Sequence, residues 1–343
     1  MTSTTPSSHD AIFKGLLGKP EHARGVLRAV VPPAVAEAID WQTLTSAPTN
    51  FVAPELSQQY TDLLFSARWH DGSELLAYFL FEHQSAPPKT RDGPMAFRLL
   101  RYQVRIWEEW LSRNPEATTL PVIIPVVMYH GQTAWTSARW FGDVLAVPPE
   151  VRPVVARHLV QFEYLLNDLS EISDEDLRAR AFTAVAKLTA LCFKYARTSP
   201  DFLSILGRWI DVVREVASAP NGLSALAQLL CYILQVNEHV QRDELQELLT
   251  REIGPQTQEA IVTAGQLLIE QGRQQGREEG RQQGREEGRK DFQEVLLQLL
   301  RQRFGDQVDS TVERRVIEAS LEQVQAWTKR VLSAATLSEL FAN

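Results

Sequence analysis

Residues 60–84 of the chain read YTDLLFSARWHDGSELLAYFLFEHQ, and this stretch decides the fold. Two runs within it, residues 61–69 and 74–81, are rich in aromatic and aliphatic side chains. Between them, the residues HDGS at positions 70–73 supply the side chains that favour a turn. The pattern predicts two antiparallel strands joined by a tight turn.

Two acidic residues interrupt this apolar hairpin. Asp62 lies near the start of the first predicted strand, and Glu82 lies at the end of the second. An unpaired carboxylate is costly in apolar surroundings, so two that converge on one sheet indicate a bound cation. Gln84 follows two residues after Glu82, which predicts that both side chains share one face of the strand. These residue types suit Mg²⁺, which prefers hard oxygen ligands and leaves room for water and a phosphate group.

The residues after the hairpin predict a helix and then a buried strand. Residues 95–113 have helical periodicity, and the predicted buried stripe consists of Phe97, Leu100, Val104, Trp107 and Leu111. Arg98, Arg101 and Arg105 recur on another face of the same helix. Residues 120–129, LPVIIPVVMY, form a continuous apolar run, which is typical of a strand buried on both faces.

The N-terminal region completes a small α/β core. Residues 1–8 form a polar tail that we predict to be disordered, whereas residues 9–39 have helical patterning with breaks at 18–20 and 31–33. Residues 40–54 look irregular, with a short strand at 50–52 as an option. The resulting order is helix, hairpin, helix, buried strand. A right-handed crossover then places the last strand parallel and inside the sheet.

The C-terminal half is predicted to be helical. Trp135, Trp140 and Phe141 lie in a loop that could cover the sheet, residues 158–166 could add an edge strand, and residues 173–261 read as helices. Residues 271–290, QGRQQGREEGRQQGREEGRK, repeat glycine every four residues, which predicts either a self-associating helix or a flexible linker. The predicted domains are a tail (1–8), a core (9–170), a helical region (171–262), the repeat (263–290) and a small helical domain (291–343).

Composition is that of a globular protein of 343 residues with a net charge of −8, 44% hydrophobic and 23% charged residues. A nucleic-acid partner would therefore need a local basic patch. Cys192 and Cys231 lie in apolar helical runs and are expected to be buried free thiols. The N-terminus lacks the basic start and apolar core of a signal peptide, and no run reaches the roughly 20 apolar residues of a membrane span. The expected location is the cytoplasm.

Several separated motifs carry a resemblance to a known family. They are Asp62, EHQS at 82–85, RLLRYQ at 98–103, PVIIPVVMYHG at 121–131 and HDAIFKGLLGKPEHARGVLRAVVP at 9–32. Together these motifs resemble the recombination-promoting nuclease / putative transposase family (YhgA-like proteins) over roughly residues 9–250. That family belongs to the PD-(D/E)XK nuclease superfamily, so the resemblance implies a restriction-endonuclease-like core. The tail from about residue 292 resembles a helical domain of unknown function that often follows such nucleases.

The resemblance implies a DNA endonuclease that depends on Mg²⁺ or Ca²⁺ (Mn²⁺ being a further option) and promotes recombination. Asp62 and Glu82 would hold the metal, and Gln84 stands where the superfamily usually has a lysine. Because an amide cannot supply positive charge, a lysine from elsewhere is needed, and Lys14 is our candidate. Glu55 could be the additional acid that many members contribute, or simply a surface acid.

Other residues have two interpretations each. Asp10 is either a further acid of the site or an N-terminal cap of the first helix. Arg98, Arg101 and Arg105 either contact DNA phosphates or form a solvated helix face. Tyr102 and His130 either support the site or lie at a core boundary and at a strand-terminal turn.

Three functions remain open from the sequence. The first is a metal-dependent endonuclease acting on double-stranded DNA. The second is a DNA-binding or assembly protein that keeps the nuclease fold without turnover, and the third is a transposase-related protein. Residues 271–290 offer a route to a homo-oligomer.

Overall fold

The computed structural model describes residues 8–47, 63–71, 77–84 and 93–341, with residues 77–84 described by their backbone. Five strands form one sheet: β1 (Ile39–Ser46), β2 (Leu63–Trp69), β3 (Ala77–Gln84), β4 (Val122–Tyr129) and β5 (Leu165–Asp168). The strands lie side by side in chain order, β1-β2-β3-β4-β5. The chain is therefore of the α/β class.

The helices, numbered along the chain, are α1 (Ser8–Ile12), α2 (Pro20–Val30), α3 (Pro33–Ala38), α4 (Met95–Arg113), α5 (Arg152–Val155), α6 (Asp174–Ala179), α7 (Ala184–Tyr195), α8 (Phe202–Arg208), α9 (Ile210–Ser218), α10 (Gly222–Val236), α11 (Arg242–Glu252), α12 (Thr257–Phe304), α13 (Ser310–Glu318), α14 (Leu321–Arg330) and α15 (Leu337–Leu340). A π-helical turn, Phe13–Leu17, follows α1, and short 3-10 turns cover Phe141–Val144, Ala156–His158 and Gly305–Gln307. Helices thus occupy both ends of the chain, and the sheet is assembled from its first half.

The predicted antiparallel pairing and the parallel placement of the last predicted strand are confirmed. Strands β2 and β3 pair antiparallel, with Leu63 opposite Phe81. Helix α4 then returns the chain so that β4 pairs parallel with β3, and β5 pairs parallel with β4. Strand β4 therefore lies inside the sheet, as its unbroken apolar run predicts. The edge strand after it begins at Leu165, later than predicted from the sequence.

The prediction that residues 40–54 are irregular is wrong for residues 40–46, which belong to β1, and Ile39, predicted to end the helical region, begins that strand. Ile39, Trp41 and Leu44 are buried while residues between them are more exposed, so the strand has an interrupted alternation. The interruption coincides with a shift in the register between β1 and β2. Such an irregularity breaks the period of two that identifies a strand in a sequence. The short strand considered at 50–52 lies outside the described residues.

The sheet is covered on both faces by apolar side chains. On one face, Val126 and Met128 of β4 pack with the N-terminal helices and with the helices that follow residue 173. On the other face, Val127 of β4 packs with Leu64 of β2 and with helix α4. This alternation along β4 follows from the pleat of a strand and gives the sheet two separate apolar layers.

The region after residue 173 is helical as predicted, and its helices are interrupted at several points, among them residues 198–200, 219–221 and 254–255. Cys192 and Cys231 are buried free thiols, as expected. Burial raises the pKa of Cys231 to about 11, and it raises the pKa of Cys192 further. Both thiols are therefore protonated at neutral pH, which makes them poor nucleophiles.

The chain divides into two compact units, residues 1–268 and 269–343. In the second unit, the glycine repeat is helical and belongs to α12, whose 48 residues run without a break. Leu296, Leu300 and Val316 belong to the core of this unit. A capping box begins α14: the Ser320 hydroxyl accepts from the amide of Gln323, and the Gln323 side chain accepts from the amide of Ser320. At Thr336 the hydroxyl caps the helix, whereas Glu339 accepts a hydrogen bond from Ala335 instead of residue 336.

Two further features concern the sheet and its loop. Pro125 lies in β4, one residue before the segment that pairs with β5. Phe141 of the loop after β4 is buried against α4, while Trp140 keeps 37% of its surface exposed. Across the described ranges, no helix is both long and apolar enough to cross a bilayer.

Candidate functional site

The candidate site lies where strands β3, β4 and β5 end, which we call the carboxyl edge of the sheet. The backbone of Glu82 pairs with Val127 of β4, and Gln84 pairs with Tyr129. Tyr129 in turn pairs with Asp168 of β5. Because parallel strands all end on this side, residues from three strands meet there, and such edges commonly hold ligands in α/β sheets.

The second predicted acid adjoins this arrangement in the sequence. Asp62 and Glu55 lie outside the described residues, as do residues 72–73 of the predicted turn. Leu63, the residue after Asp62, is the first residue of β2 and pairs with Phe81, the residue before Glu82. The distance between the two carboxylates therefore stays a prediction.

Helix α4 presents polar side chains to the interior. It spans Met95–Arg113 as predicted, but the predicted buried stripe is wrong, because Phe97 is 46% exposed and Val104 and Leu111 are also exposed. The buried arc instead contains Arg98, Tyr102 and Gln103 along with apolar residues. Arg98 keeps only 9% of its surface exposed, which separates it from the other two predicted arginines. Buried charge in an apolar layer needs an anionic or hydrogen-bonding partner.

The remaining arginines of this helix lie on its solvent side. Arg101 and Arg105 are exposed. Arg105 forms an ion pair with Glu108 at 2.8 Å, and both side chains keep more than half of their surface exposed. Exposed pairs of this kind contribute little to stability, so Arg105 can exchange Glu108 for another anion at low cost.

The N-terminal candidates lie on α1 and on the π-helical turn after it. Asp10 lies in the first turn of α1, which starts at Ser8, so it is inside the helix and not at its cap. Lys14 lies in the turn Phe13–Leu17, where its carbonyl accepts the amide of Gly18. His9 places Nδ1 2.8 Å from the hydroxyl of Tyr232. Burial raises the pKa of that tyrosine, so its hydroxyl stays protonated.

His130 follows β4 at the carboxyl edge and is buried. Its ring stacks on Phe193 with centroids 4.6 Å apart, and the ring of His9 lies 5.0 Å away. His130 also lines an open cavity of about 420 Å³ together with polar residues that follow β4 and β5 or end α7: Gly131, Gln132, Ser170, Lys194, Tyr195 and Thr198. The strand end is thus a walled depression and not a flat surface.

Sequence reasoning missed Asp168, which ends β5 and is buried. Its Oδ1 accepts hydrogen bonds from the amide and the hydroxyl of Ser170, at 2.9 and 2.6 Å, and its Oδ2 accepts a longer one from the amide of Trp135. The available signal was the pair Asn167-Asp168, which directly follows the short apolar run Tyr164-Leu165-Leu166. Because the edge strand was predicted at 158–166, Asp168 was not recognised as a residue at a strand end.

A hydrogen bond beside the cavity gives a pH-dependent prediction. The Tyr195 hydroxyl donates to Asp174 at 2.6 Å. Burial by itself raises the pKa of Asp174, but the Tyr195 hydrogen bond and the Lys194 charge outweigh it and leave the pKa lowered. A lowered pKa in the folded state stabilises the fold above the unfolded value of about 3.9, and this contribution is lost as the pH falls.

We therefore expect Tyr195→Phe to lower the free energy of unfolding by about 1 kcal/mol at pH 7, and by less at pH 3. Urea unfolding at both pH values measures the difference. Tyr164→Phe is the matched control, because the Tyr164 hydroxyl accepts from the indole of Trp135 and its loss should cost the same at both pH values. An equal loss for Tyr195→Phe at both pH values would contradict the role of Asp174.

The chemistry of the donor set at the strand end suits a hard cation. Glu82 and Gln84 are an acid and an amide, the residue types that bind Mg²⁺ and position water. Among the side chains that the structure describes, no three His, Cys, Asp or Glu residues cluster so as to hold a metal.

The chain belongs to the family described as "Putative transposase, YhgA-like", whose model matches residues 7–224. This membership confirms the resemblance seen in the sequence motifs. No solved structure gives a significant match.

Three curated relatives from Escherichia coli match along most of their length. The "Inactive recombination-promoting nuclease-like protein RpnE" of strain K12 is 29% identical over 79% of this chain and 85% of its own. The "Recombination-promoting nuclease RpnD" of O157:H7 is 28% identical over 76% of this chain and 93% of its own. The "Recombination-promoting nuclease RpnA" of strain K12 is 26% identical over 79% and 86%, respectively.

Proposed function

We propose that the chain is a metal-dependent DNA endonuclease whose cuts promote recombination. The observation that carries the proposal is the position of Glu82 and Gln84 at the end of β3, paired with β4 inside the sheet. The names of the relatives RpnD and RpnA support it. The order of a hairpin, the crossover helix α4 and the parallel strand β4 supports a restriction-endonuclease-like core of the PD-(D/E)XK type.

In this proposal Asp62 and Glu82 hold Mg²⁺, with Ca²⁺ or Mn²⁺ as alternatives. A bound ion of this kind lowers the pKa of its water and neutralises charge on the phosphoryl oxygens. Gln84 orients the water or the scissile phosphate through its amide. Lys14 supplies the positive charge that an amide lacks.

Other predicted residues support this centre in the proposal. Glu55 and Asp10 add acidic groups. Tyr102 of α4 and His130 at the end of β4 hold the walls of the site, since both are buried.

The exposed arginines of α4 give a prediction about the DNA backbone. Arg101→Gln and Arg105→Gln should each weaken binding equally on all sequences and reduce the slope of log affinity against log salt by about 1. Fluorescence anisotropy of a labelled duplex across a salt series measures this slope. Arg251→Gln, an exposed arginine of α11, is the control and should leave the slope unchanged. Unchanged slopes for both α4 variants would make this face a solvated one.

The direct test of the activity uses purified full-length protein and supercoiled plasmid with Mg²⁺, Ca²⁺ or Mn²⁺. We expect nicked and linear products that require the ion, and we expect Asp62→Ala to lack the activity. Equal cleavage by wild type and Asp62→Ala would point to a contaminant or to another site.

A second candidate is a DNA-binding or assembly protein that keeps the fold without turnover. Two observations favour it: Gln84 stands at the position of a catalytic lysine, and the relative RpnE is named inactive. DNA binding that is insensitive to metal, with no cleavage under any of the three ions, would select this function.

A further inference from the structure

The glycine repeat of α12 forms an unusual helix surface. Gly272, Gly276, Gly280, Gly284 and Gly288 recur every four residues, and we call this row the glycine stripe. A Cβ atom added at any of the five would meet nothing within 4 Å. Glycine inside a helix costs about 1 kcal/mol relative to alanine, so the row costs about 5 kcal/mol. Packing against the described chain does not offset this cost.

The glycine stripe continues into exposed apolar side chains at both ends. Ile269 precedes Gly272 by three residues, and Phe292 and Val295 follow Gly288 by four and seven. These side chains keep 74%, 40% and 46% of their surface exposed. Residues three or four apart lie on the same side of a helix, so they extend the stripe. A small-residue row bounded by exposed apolar groups is a surface that another helix can cover.

The charges beside the glycine stripe indicate which partner fits. The residue after each glycine is always arginine: Arg273, Arg277, Arg281, Arg285 and Arg289. The residue before each glycine is always glutamine or glutamate: Gln271, Gln275, Glu279, Gln283 and Glu287. Neighbours in sequence are about 100° apart on a helix, so the two rows flank the stripe on opposite sides.

This asymmetry distinguishes the two ways of pairing identical helices. In a parallel pair related by a two-fold axis, the right flank of one helix faces the left flank of the other, so arginine meets glutamine and glutamate. In an antiparallel pair like flanks meet, and arginine faces arginine. Arg273 pairs with Glu270 at 2.9 Å, and both side chains are exposed, so this intrahelical pair is weak and does not hold the arginine against a stronger contact. Arg289 is half-buried: it pairs with Glu286 at 3.4 Å and donates a hydrogen bond to the carbonyl of Ile317.

We propose that residues 269–295 pair in parallel with the same segment of a second copy of this chain. The surface is self-complementary, because one helix carries both the arginine row and the row of glutamine and glutamate, whose oxygens can accept from arginine, and a second copy therefore fits it. A repeat of four residues exceeds the helical period of about 3.6, so the two stripes cross in a right-handed sense. Glycine lets the two backbones approach closely at the crossing.

The test uses full-length protein in sedimentation analysis, with the triple variant Gly276→Ala, Gly280→Ala and Gly284→Ala. Alanine favours the helix but holds the two backbones apart, so weaker association cannot come from an unfolded helix. We expect wild type to be a dimer and the variant to bind itself at least about tenfold more weakly. Gln274→Ala with Lys290→Ala, on the side away from the stripe, is the matched control.

Single cysteine variants test the orientation. In a parallel pair that crosses near Gly280, Gly276→Cys and Gly284→Cys each form a disulfide with their own copy, because both positions lie within about 40° of Gly280 around the helix. The two native thiols are buried and do not interfere. A disulfide formed only when the two variants are mixed would show an antiparallel pair and overturn the proposal. A monomeric wild type at tens of micromolar, or a dimer unaffected by the three alanines, would overturn it as well.

Discussion

Glu82→Gln is expected to lower the rate of plasmid cleavage by at least about 100-fold, because it removes the charge of one of two proposed metal ligands. Glutamine has nearly the shape of glutamate, so the strand should keep its pairing with β4. The same change should weaken binding of Mn²⁺, which can be followed by titration without any DNA. Initial rates at saturating Mg²⁺ and at saturating Ca²⁺ measure the effect on turnover.

Glu116→Gln is the control for this prediction, because Glu116 is an exposed acid beyond the end of α4. It should cleave and bind Mn²⁺ like wild type. If Glu82→Gln retains wild-type rates and Mn²⁺ affinity, Glu82 is not a metal ligand. If wild type binds DNA and Mn²⁺ but never cleaves, the fold is present and turnover is lost, which is the second candidate function.

Arg98→Ala is expected to lower the free energy of unfolding by about 3 kcal/mol, whereas Arg101→Ala should change it by less than about 0.5 kcal/mol. The two arginines lie on one helix, but Arg98 is buried and Arg101 is exposed. Truncating the buried side chain removes its stem from the packed interior of the helix face and deletes the hydrogen bonds of its guanidinium. Urea unfolding followed by circular dichroism measures both changes.

Arg98→Met separates the two contributions of that side chain. Methionine keeps much of the apolar stem, so it should recover part of the loss if packing dominates, and little if charge dominates. Equal, small effects of Arg98→Ala and Arg101→Ala would mean that Arg98 reaches solvent and acts as a surface residue. DNA affinity measured on the same variants would then show a phosphate contact at both positions.

Local patterns were enough to predict the centre of the fold. The hairpin, the bounds of α4 and strand β4 each follow from apolar runs bounded by turn residues, and the structure confirms them. The capping box at Ser320 also follows from short-range spacing. Such features depend on residues close in sequence, where propensity and periodicity act directly.

Features that depend on distant residues were harder to predict. Two faces of helix α4 carry residues at helical spacing. The sequence prediction chose the more hydrophobic face, which contains Phe97, whereas the face that contains Arg98 is the buried one. Strand β1 was missed because its register shift interrupts the alternation. Asp168 reaches the carboxyl edge only because β5 pairs with β4. The paired residues are 39 positions apart in the sequence, as Tyr129 and Asp168 are. The meeting of the acids at 62 and 82 stays a prediction.

Pro125 has a consequence for solubility. Strand β5 pairs with residues 126–129 of β4, so within the described chain the first half of β4 borders no strand on that side. Open strand edges recruit the strands of other molecules and thereby seed aggregates. Proline has no N–H to donate to an incoming strand, and Pro125 is buried at the end of this unpaired half. The residue thus acts as a block against misassembly at a point where the sheet would otherwise extend itself.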